Sequence, residues 1–94
     1  MSGFISCMNR GFNIKFANGY SVSVQFGPAH NCDNRDLNEF PNATQFFSCK
    51  NAECAVMNST GQLLNLGDDD ILGYQTPEQV LKLLNETAAR PKEL

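Results

Sequence analysis

The side chains best suited to chemistry are concentrated in one polar stretch, GPAHNCDNRDLNE, at residues 27–39. Arg35 can bind a phosphate or carboxylate through two parallel hydrogen bonds, because its guanidinium presents a fixed fork of donors. His30, Asn31 and Asn34 can read the hydrogen-bonding edges of a ligand. We therefore predict that this stretch is the ligand-binding site.

Side chains outside the stretch complete the predicted site. Arg10 and Lys50 are candidate helpers in binding an anion, and Tyr20 or Phe26 could supply an aromatic wall. The alternative is a solvated loop whose Asn and Asp side chains satisfy their own backbone. The length of the connection over residues 27–51 favours function, since connections longer than about 12–15 residues are usually functional or disordered.

The cysteines offer two further kinds of chemistry. His30, Cys32, Cys49 and Cys54 match a structural zinc site in number and type. Their spacing is unlike the close Cys pairs of zinc modules, and small buried thiols are the common state of cytosolic cysteines. We therefore predict no metal. Cys32 beside His30 is also a candidate nucleophile, but no neighbouring group supplies an oxyanion hole.

No other motif points to catalysis or to a cofactor. The sequence contains no Walker loop, GxGxxG, GxSxG or HExxH pattern. The acidic run at residues 68–70 resembles the start of a calcium loop, yet Gln79 stands where an EF-hand requires Glu. The sequence therefore predicts neither an enzyme nor a cofactor, and it predicts that the acidic run is a solvated turn.

Length and charge limit the classes of partner. The 94 residues form one small domain, 1–94, and seven basic against ten acidic residues give a net charge of −3. A nucleic-acid polymer is disfavoured, because proteins that bind one usually carry a basic stripe. The sequence begins with no signal-peptide pattern, and no apolar run approaches the ~18 residues of a membrane span. We predict a cytoplasmic protein with reduced cysteines.

Two hairpins follow from side-chain parity, since residues opposite each other in a sheet share a face. A three-residue loop at residues 17–19 pairs Phe16 with Tyr20 and places Gly19 in the left-handed conformation that such a loop requires. The same arithmetic predicts a second hairpin around residues 59–61. There Asn58 pairs with Gln62, Val56 with Leu64 and Cys54 with Leu66, while Met57 and Leu63 form a small apolar patch on the other face. Shorter strands are predicted at residues 4–8 and 44–48.

A helix closes the chain. Thr76 is a good N-cap, Pro77 suits the first helical position, and Gln79 completes a capping box. Pro91 ends the helix, because the residue before a proline is pushed out of helical geometry. The apolar arc of the helix contains Val80, Leu81, Leu83, Leu84, Thr87 and Ala88. The predicted fold class is α+β: an antiparallel β-sheet of two three-residue-loop hairpins, with four or five strands, covered by one C-terminal α-helix.

The order of these elements is similar to that of a known group of proteins. The string GFNIKFANGYSVSVQFGP, then CDNRD, a hairpin, an acidic turn and the helix TPEQVLKLLNE resemble small accessory proteins of tailed bacteriophages, over about residues 3–88. The resemblance implies a protein made in the host cytosol during infection. Inhibitors of host defence are frequent among such proteins, and some of them sequester a nucleotide signal. The resemblance assigns no role to any residue.

Together these features predict a non-enzymatic binding protein, as a homo-oligomer, that sequesters a small anionic nucleotide-type ligand. Its predicted ligand contacts are Arg35, His30, Asn31, Asn34, Arg10 and Lys50. The first alternative is a protein that inhibits a host factor through an exposed sheet edge and the patch of Met57 and Leu63. The second alternative is a cysteine-dependent enzyme that uses Cys32.

Overall fold

The computed structural model describes residues 2–7, 10–37, 48–67 and 69–92. Within them, one antiparallel sheet has the strand order β1–β2–β3–β4–β5, and one helix packs against it. The elements are β1 (Gly3–Ser6), β2 (Gly11–Lys15), β3 (Ser21–Gln25), β4 (Ala52–Met57), β5 (Leu72–Gln75) and α1 (Pro77–Ala88). The predicted α+β class is confirmed. No helix within the described ranges combines the length and the apolar content that crossing a membrane requires.

The first hairpin has the predicted register. Ile14 of β2 lies opposite Val22 of β3. The Phe16 N–H donates to the Tyr20 carbonyl at 2.9 Å, which closes a three-residue loop. Gly19 has a φ of 96°, the left-handed conformation that glycine adopts without strain.

The strand predicted at residues 4–8 is present as β1, which pairs with β2 and forms one edge of the sheet. The strand predicted at residues 44–48 falls almost entirely outside the described residues.

The turn of the second predicted hairpin is also present. The Asn58 N–H donates to the Gln62 carbonyl at 2.9 Å, and the Leu64 N–H donates to Val56 at 2.9 Å. Gly61 has a φ of 83°. The predicted loop and the first two pairs of this register are therefore correct.

The second arm of this hairpin does not continue as a strand, and the predicted pairing of Cys54 with Leu66 is wrong. Cys54 pairs with Leu72 of β5 instead. The chain leaves the sheet because Asn65 Oδ1 accepts from the Gly67 N–H at 3.0 Å, while the Leu66 N–H donates to Asp69 at 3.1 Å. β4 also pairs with β5, a strand that was not predicted from the sequence.

The core lies between the sheet and α1. The helix contacts β3, β4 and β5, and among the described strands it leaves β1 and β2 uncovered. The buried core residues are Val22, Val24, Ala52, Cys54 and Val56. Partly buried side chains that pack against them include Phe12, Ile14, Tyr20, Phe26, Val80, Leu83 and Leu84. Alternate residues of the first hairpin therefore contribute to this core.

The helix begins as predicted. The Gln79 N–H donates to Thr76 Oγ1 at 3.2 Å, and the Thr76 N–H donates to Gln79 Oε1 at 2.8 Å, so both halves of the capping box are formed. Thr87 is buried, whereas Leu81 is 59% exposed and Ala88 is exposed. The apolar arc is therefore narrower than predicted, and Leu81 faces outward at one side of it.

The C-terminal end of the helix is bound by the loop of the first hairpin. Asn18 Nδ2 donates to the carbonyls of Thr87 at 2.8 Å, Ala88 at 3.3 Å and Arg90 at 3.1 Å. The Arg90 guanidinium lies 5.2 Å from the centre of the Tyr20 ring. Because the last carbonyls of a helix lack partners in the following turn, the Asn18 side chain supplements the backbone N–H groups that bond to them from Ala89 and Arg90.

Candidate functional site

The loop at residues 27–37 is a compact series of turns that follows β3. The His30 N–H donates to Gly27 at 3.2 Å, the Cys32 N–H to His30 at 2.8 Å and the Arg35 N–H to Cys32 at 3.0 Å. The Ala29 N–H donates to the Arg35 carbonyl at 3.0 Å and closes the series. This part of the predicted site has a defined backbone of its own.

Asn31 links the loop to both neighbouring strands. Its N–H donates to Glu53 Oε2 on β4 at 2.8 Å, and its carbonyl accepts from the Tyr74 N–H of β5 at 2.8 Å. Its side-chain Oδ1 accepts a hydrogen bond from Arg35 Nη1. Asn31 and Arg35 are thus brought together, and Asn31 orients the guanidinium while the rest of the Arg35 side chain lies exposed.

A β-bulge makes the contact with Tyr74 available. Ala52 pairs with Gln75 and Cys54 with Leu72, so β5 contains one residue more than β4 across the same interval. Tyr74 has a φ of 55°, which is unusual for a residue other than glycine. Its N–H is thereby directed to the loop and not to β4. Bulges are frequent beside binding sites because they redirect the chain in this way.

Asn34 holds the two ends of the long connection together. Its Nδ2 donates to the Phe26 carbonyl at 2.9 Å and to the Ser48 carbonyl at 2.9 Å. Beside it, the Asp33 N–H donates to Asn51 Oδ1 at 2.8 Å. Both amide hydrogens of Asn34 are therefore used within the protein, and only its oxygen is left to contact a ligand.

Cys32 has the environment of a structural thiol. It is 1% exposed, and its Sγ donates to the Gly27 carbonyl at 3.6 Å. Burial raises the pKa of the Cys32 thiol, and the neighbouring Cys49 thiol adds to this shift. A raised pKa keeps the group protonated, whereas a nucleophile needs the thiolate. The geometry therefore does not favour Cys32 as a nucleophile.

The candidate zinc ligands do not converge. All four cysteines are free thiols, and Cys54 lies in the core. Burial raises its pKa to about 11. Within the described part of the chain, no three His, Cys, Asp or Glu side chains are placed to hold a metal ion.

The other predicted site residues lie around the loop. His30 is half-buried, and its Nδ1 is buried without a hydrogen-bond partner. The aliphatic stem of Arg10 packs on Gly27, where an added Cβ would lie 2.6 Å from the Arg10 Cβ. Lys50 is exposed and comes just before β4. His30 and Arg10 therefore support the start of the loop, while Lys50 lies at its other end.

An open groove of about 390 Å³ lies on the helix-bearing face, between the end of the sheet and the first turns of α1. Its apolar wall consists of Val24, Phe26, Ala52, Pro77, Val80, Leu81 and Leu84. Its polar rim consists of Ser48, Cys49, Lys50, Asn51 and Gln75. The outward orientation of Leu81 is explained here, because this side chain forms part of the groove.

A polar recess adjoins the groove. It also measures about 390 Å³ and is lined by Asp33, Asn34, Ser48, Cys49 and Lys50. The groove and the recess share Ser48, Cys49 and Lys50. Lys50 is thus the cation common to both.

The structure separates the six predicted contacts into groups. Asn34 and Lys50 meet in the recess, Asn31 and Arg35 form a pair beside β5, and His30 and Arg10 lie at the start of the loop. The contribution of Pro77 and Leu81 to the groove was not predicted from the sequence. The one indication of it was the position of Leu81 at the margin of the apolar arc of the helix. Comparison with protein-family models, with curated proteins and with solved structures found no match.

Proposed function

We propose that the protein is a non-enzymatic binding protein that sequesters a small anionic, nucleotide-type ligand in the groove and the adjoining recess. The observation that carries this proposal is the position of Lys50, which lines both an apolar groove and a polar recess. A ligand with a flat apolar part and a phosphate needs those two surroundings side by side.

The groove suits the flat part of such a ligand. Its volume of about 390 Å³ lies within the range of small-molecule sites. Phe26 and Pro77 line the groove with apolar side chains, and Leu81 is an exposed apolar side chain that a ligand would cover. Asn51 and Gln75 on the rim can hydrogen-bond to the edge of a base.

The recess suits the anionic part less strongly. Lys50 supplies a positive charge, but Asp33 lines the same recess and reduces the attraction. Arg35 does not line the recess and acts on the ligand over a longer distance. The binding of the anion should therefore be sensitive to salt, because exposed charges are screened at physiological ionic strength.

Sequestration fits the other features of the molecule. It requires a stoichiometric complex and no reacting group, in agreement with the burial of Cys32, which raises the pKa of its thiol. A small accessory protein of the phage anti-defence type, acting in the host cytosol, would remove a nucleotide signal in this way. Its effect would depend on its amount and not on turnover.

Calorimetric titration with mononucleotides and signalling cyclic nucleotides tests the proposal. We expect Lys50→Ala to weaken binding about tenfold, and Asp33→Asn to strengthen it about threefold by removing the opposing charge. Arg35→Ala should have a smaller effect than Lys50→Ala. The matched control is Lys82→Ala, since the Lys82 side chain is exposed on the helix outside the groove.

Two results would contradict the proposal. One is the absence of heat with every nucleotide at millimolar concentration. The other is binding that Lys50→Ala and Lys82→Ala weaken equally, because the signal would then report only general attraction by positive charge.

Inhibition of a host protein is the second candidate function. It is favoured by the apolar patch of Met57 and Leu63, which form an isolated bridge and of which Leu63 is 45% exposed. A host protein captured by the wild type and lost with Leu63→Asp, together with silent nucleotide titrations, would support this candidate over sequestration.

A further inference from the structure

Among the described strands, β1 forms one end of the sheet and pairs with β2 alone, so no described strand pairs with its outer edge. Phe4 is 78% exposed and Ile5 is 59% exposed. The strand, Gly3–Ser6, contains no charged residue and no proline. Natural edge strands usually carry such residues, because a free apolar edge readily pairs with another strand.

The unpaired main-chain groups of this edge can be assigned to individual residues. The Cys7 N–H donates to the Gly11 carbonyl at 3.0 Å, so the backbone of Cys7 faces β2. Antiparallel pairing alternates with a period of two, so the backbone of Ile5 also faces β2. The N–H and C=O groups of Phe4 and Ser6 therefore point away from the sheet.

We propose that this edge pairs with β1 of a second copy of the chain, antiparallel, in a homodimer with one continuous ten-stranded sheet. The symmetry of such a pair selects its register. A two-fold axis normal to the sheet relates the two copies without exchanging the faces of the sheet, so a residue and its counterpart in the second copy lie on the same face. Residues that lie opposite each other on neighbouring strands must also share a face. A residue can therefore lie opposite its own counterpart, and the outward groups of Phe4 allow two hydrogen bonds between the two Phe4 residues.

The side chains support the register centred on Phe4. Phe4 lies opposite Ile14 on the helix-bearing face, in the part that α1 leaves uncovered. Pairing with a second copy joins the two Phe4 rings and the two Ile14 side chains into one apolar strip. Aromatic pairs across strands stabilise a sheet beyond the area that they bury.

The charges do not oppose this dimer. Any charged side chain at a two-fold axis meets its own copy, and the uncharged strand Gly3–Ser6 avoids that repulsion. The nearest strand charge is Lys15, which lies opposite Gly3 on β2. In the dimer the two Lys15 residues would be separated by three strand spacings, about 14 Å, which exceeds the screening length of about 10 Å in 0.1 M salt.

Sedimentation velocity of the full chain tests the dimer without reference to nucleotide binding. A four-residue edge is a small interface, so we expect a reversible dimer that is present at about 100 µM and dissociated at about 1 µM. Phe4→Lys should give a monomer at both concentrations, because two ammonium groups would meet at the axis. The control is Leu81→Lys, which changes a side chain as exposed as Ile5 on the helix and should leave the dimer intact.

A second variant tests the backbone contact directly. Ser6→Pro removes an N–H that points away from the sheet, so the fold should tolerate it as a proline on an edge strand. The variant should keep the circular dichroism of the wild type and be monomeric. A wild type that is monomeric at about 100 µM overturns the proposal, as does a dimer that persists in Phe4→Lys and in Ser6→Pro.

Discussion

The two hairpin turns of this protein have the same chemistry and different consequences. Each is a three-residue loop that ends in a left-handed glycine, Gly19 in one and Gly61 in the other. The first turn joins two strands of the sheet. The second turn brings the chain back for three opposed pairs, Asn58–Gln62, Met57–Leu63 and Val56–Leu64. After these pairs the chain leaves the sheet, and β5 pairs with β4.

The difference lies in the contacts that the side chains of each turn make. Asn18 extends from the first turn to three carbonyls at the end of the helix. Among the described residues, Asn58 bonds within its own turn, where its Oδ1 accepts from the N–H groups of Thr60 at 3.0 Å and Gln62 at 2.9 Å. A turn thus fixes the local register, but it does not by itself determine how far the pairing extends.

The largest expected effect comes from the two asparagines. Asn18→Ala should lower the free energy of unfolding by about 2 kcal/mol, because it removes a donor shared by three carbonyls at the end of the helix, while Asn58→Ala should cost about 1 kcal/mol. Chemical denaturation measures both. Asn18→Asp is the sharper test, since it keeps the acceptor for the Tyr20 N–H but loses the donor and places a negative charge at the helix C-terminus. Equal costs for Asn18→Ala and Asn58→Ala would remove the distinction between the turns.

The stability of β4 can be tested through the buried thiol of Cys54. This residue was predicted to pair with the second arm of the hairpin and pairs with β5 in the structure. Burial raises its pKa from 9.0 to about 11, and Glu53 adds to the shift. Above pH 9 the unfolded chain loses this proton, while the folded protein keeps it until about pH 11. The unfolded state then binds fewer protons, so the free energy of unfolding should be unaffected below pH 9 and fall by about 1–2 kcal/mol towards pH 11.

Urea unfolding of the wild type and of Cys54→Ala across this range checks the pH effect. The variant should lose less stability than the wild type between about pH 8 and pH 11, because it lacks the buried thiol. If the two proteins lose the same amount, the alkaline loss comes from other groups. Cys32→Ala is the companion variant, since the pKa of Cys32 is also raised by burial.

The smallest effect should be the same in both turns. Gly19→Ala and Gly61→Ala each force a Cβ into the left-handed conformation, at a cost of about 1 kcal/mol. In thermal unfolding each should lower Tm by about 4–8 °C. A much larger loss for Gly19→Ala would show that the first turn must be held rigidly for Asn18 to reach the helix.

The elements governed by local chemistry were predictable from the sequence. The alternation of side chains between the two faces of the sheet predicted the register of the first hairpin, and the capping box of Thr76 and Gln79 predicted the start of the helix. The strand β5 was missed because the bulge at Tyr74 breaks the alternation of a short segment. The departure of the second arm coincides with the turn of Asn65 and Gly67, which the pairing pattern of the strand did not predict.

The sequence predicted several residues of the candidate site, but it did not predict how they are arranged. The loop does contain the interacting pair of Asn31 and Arg35, but the use of Asn34 as an internal clamp depends on Ser48, across the long connection. The groove is lined by Pro77 and Leu81 of the helix together with Phe26, which directly follows β3. Such long-range proximity has no periodic signal in a single sequence, and so the apolar wall could not be predicted.

The bonds of Asn18 to the helix end also bear on the order in which the chain folds. They join residues 69 to 72 positions apart, so they close a loop that spans most of the molecule. Closing a loop of that length costs entropy before any contact compensates for it, and contacts between distant residues slow folding. We therefore expect the first hairpin to form early and the end of the helix to dock late. The same junction should open first during unfolding, at the point where the helix meets the chain terminus.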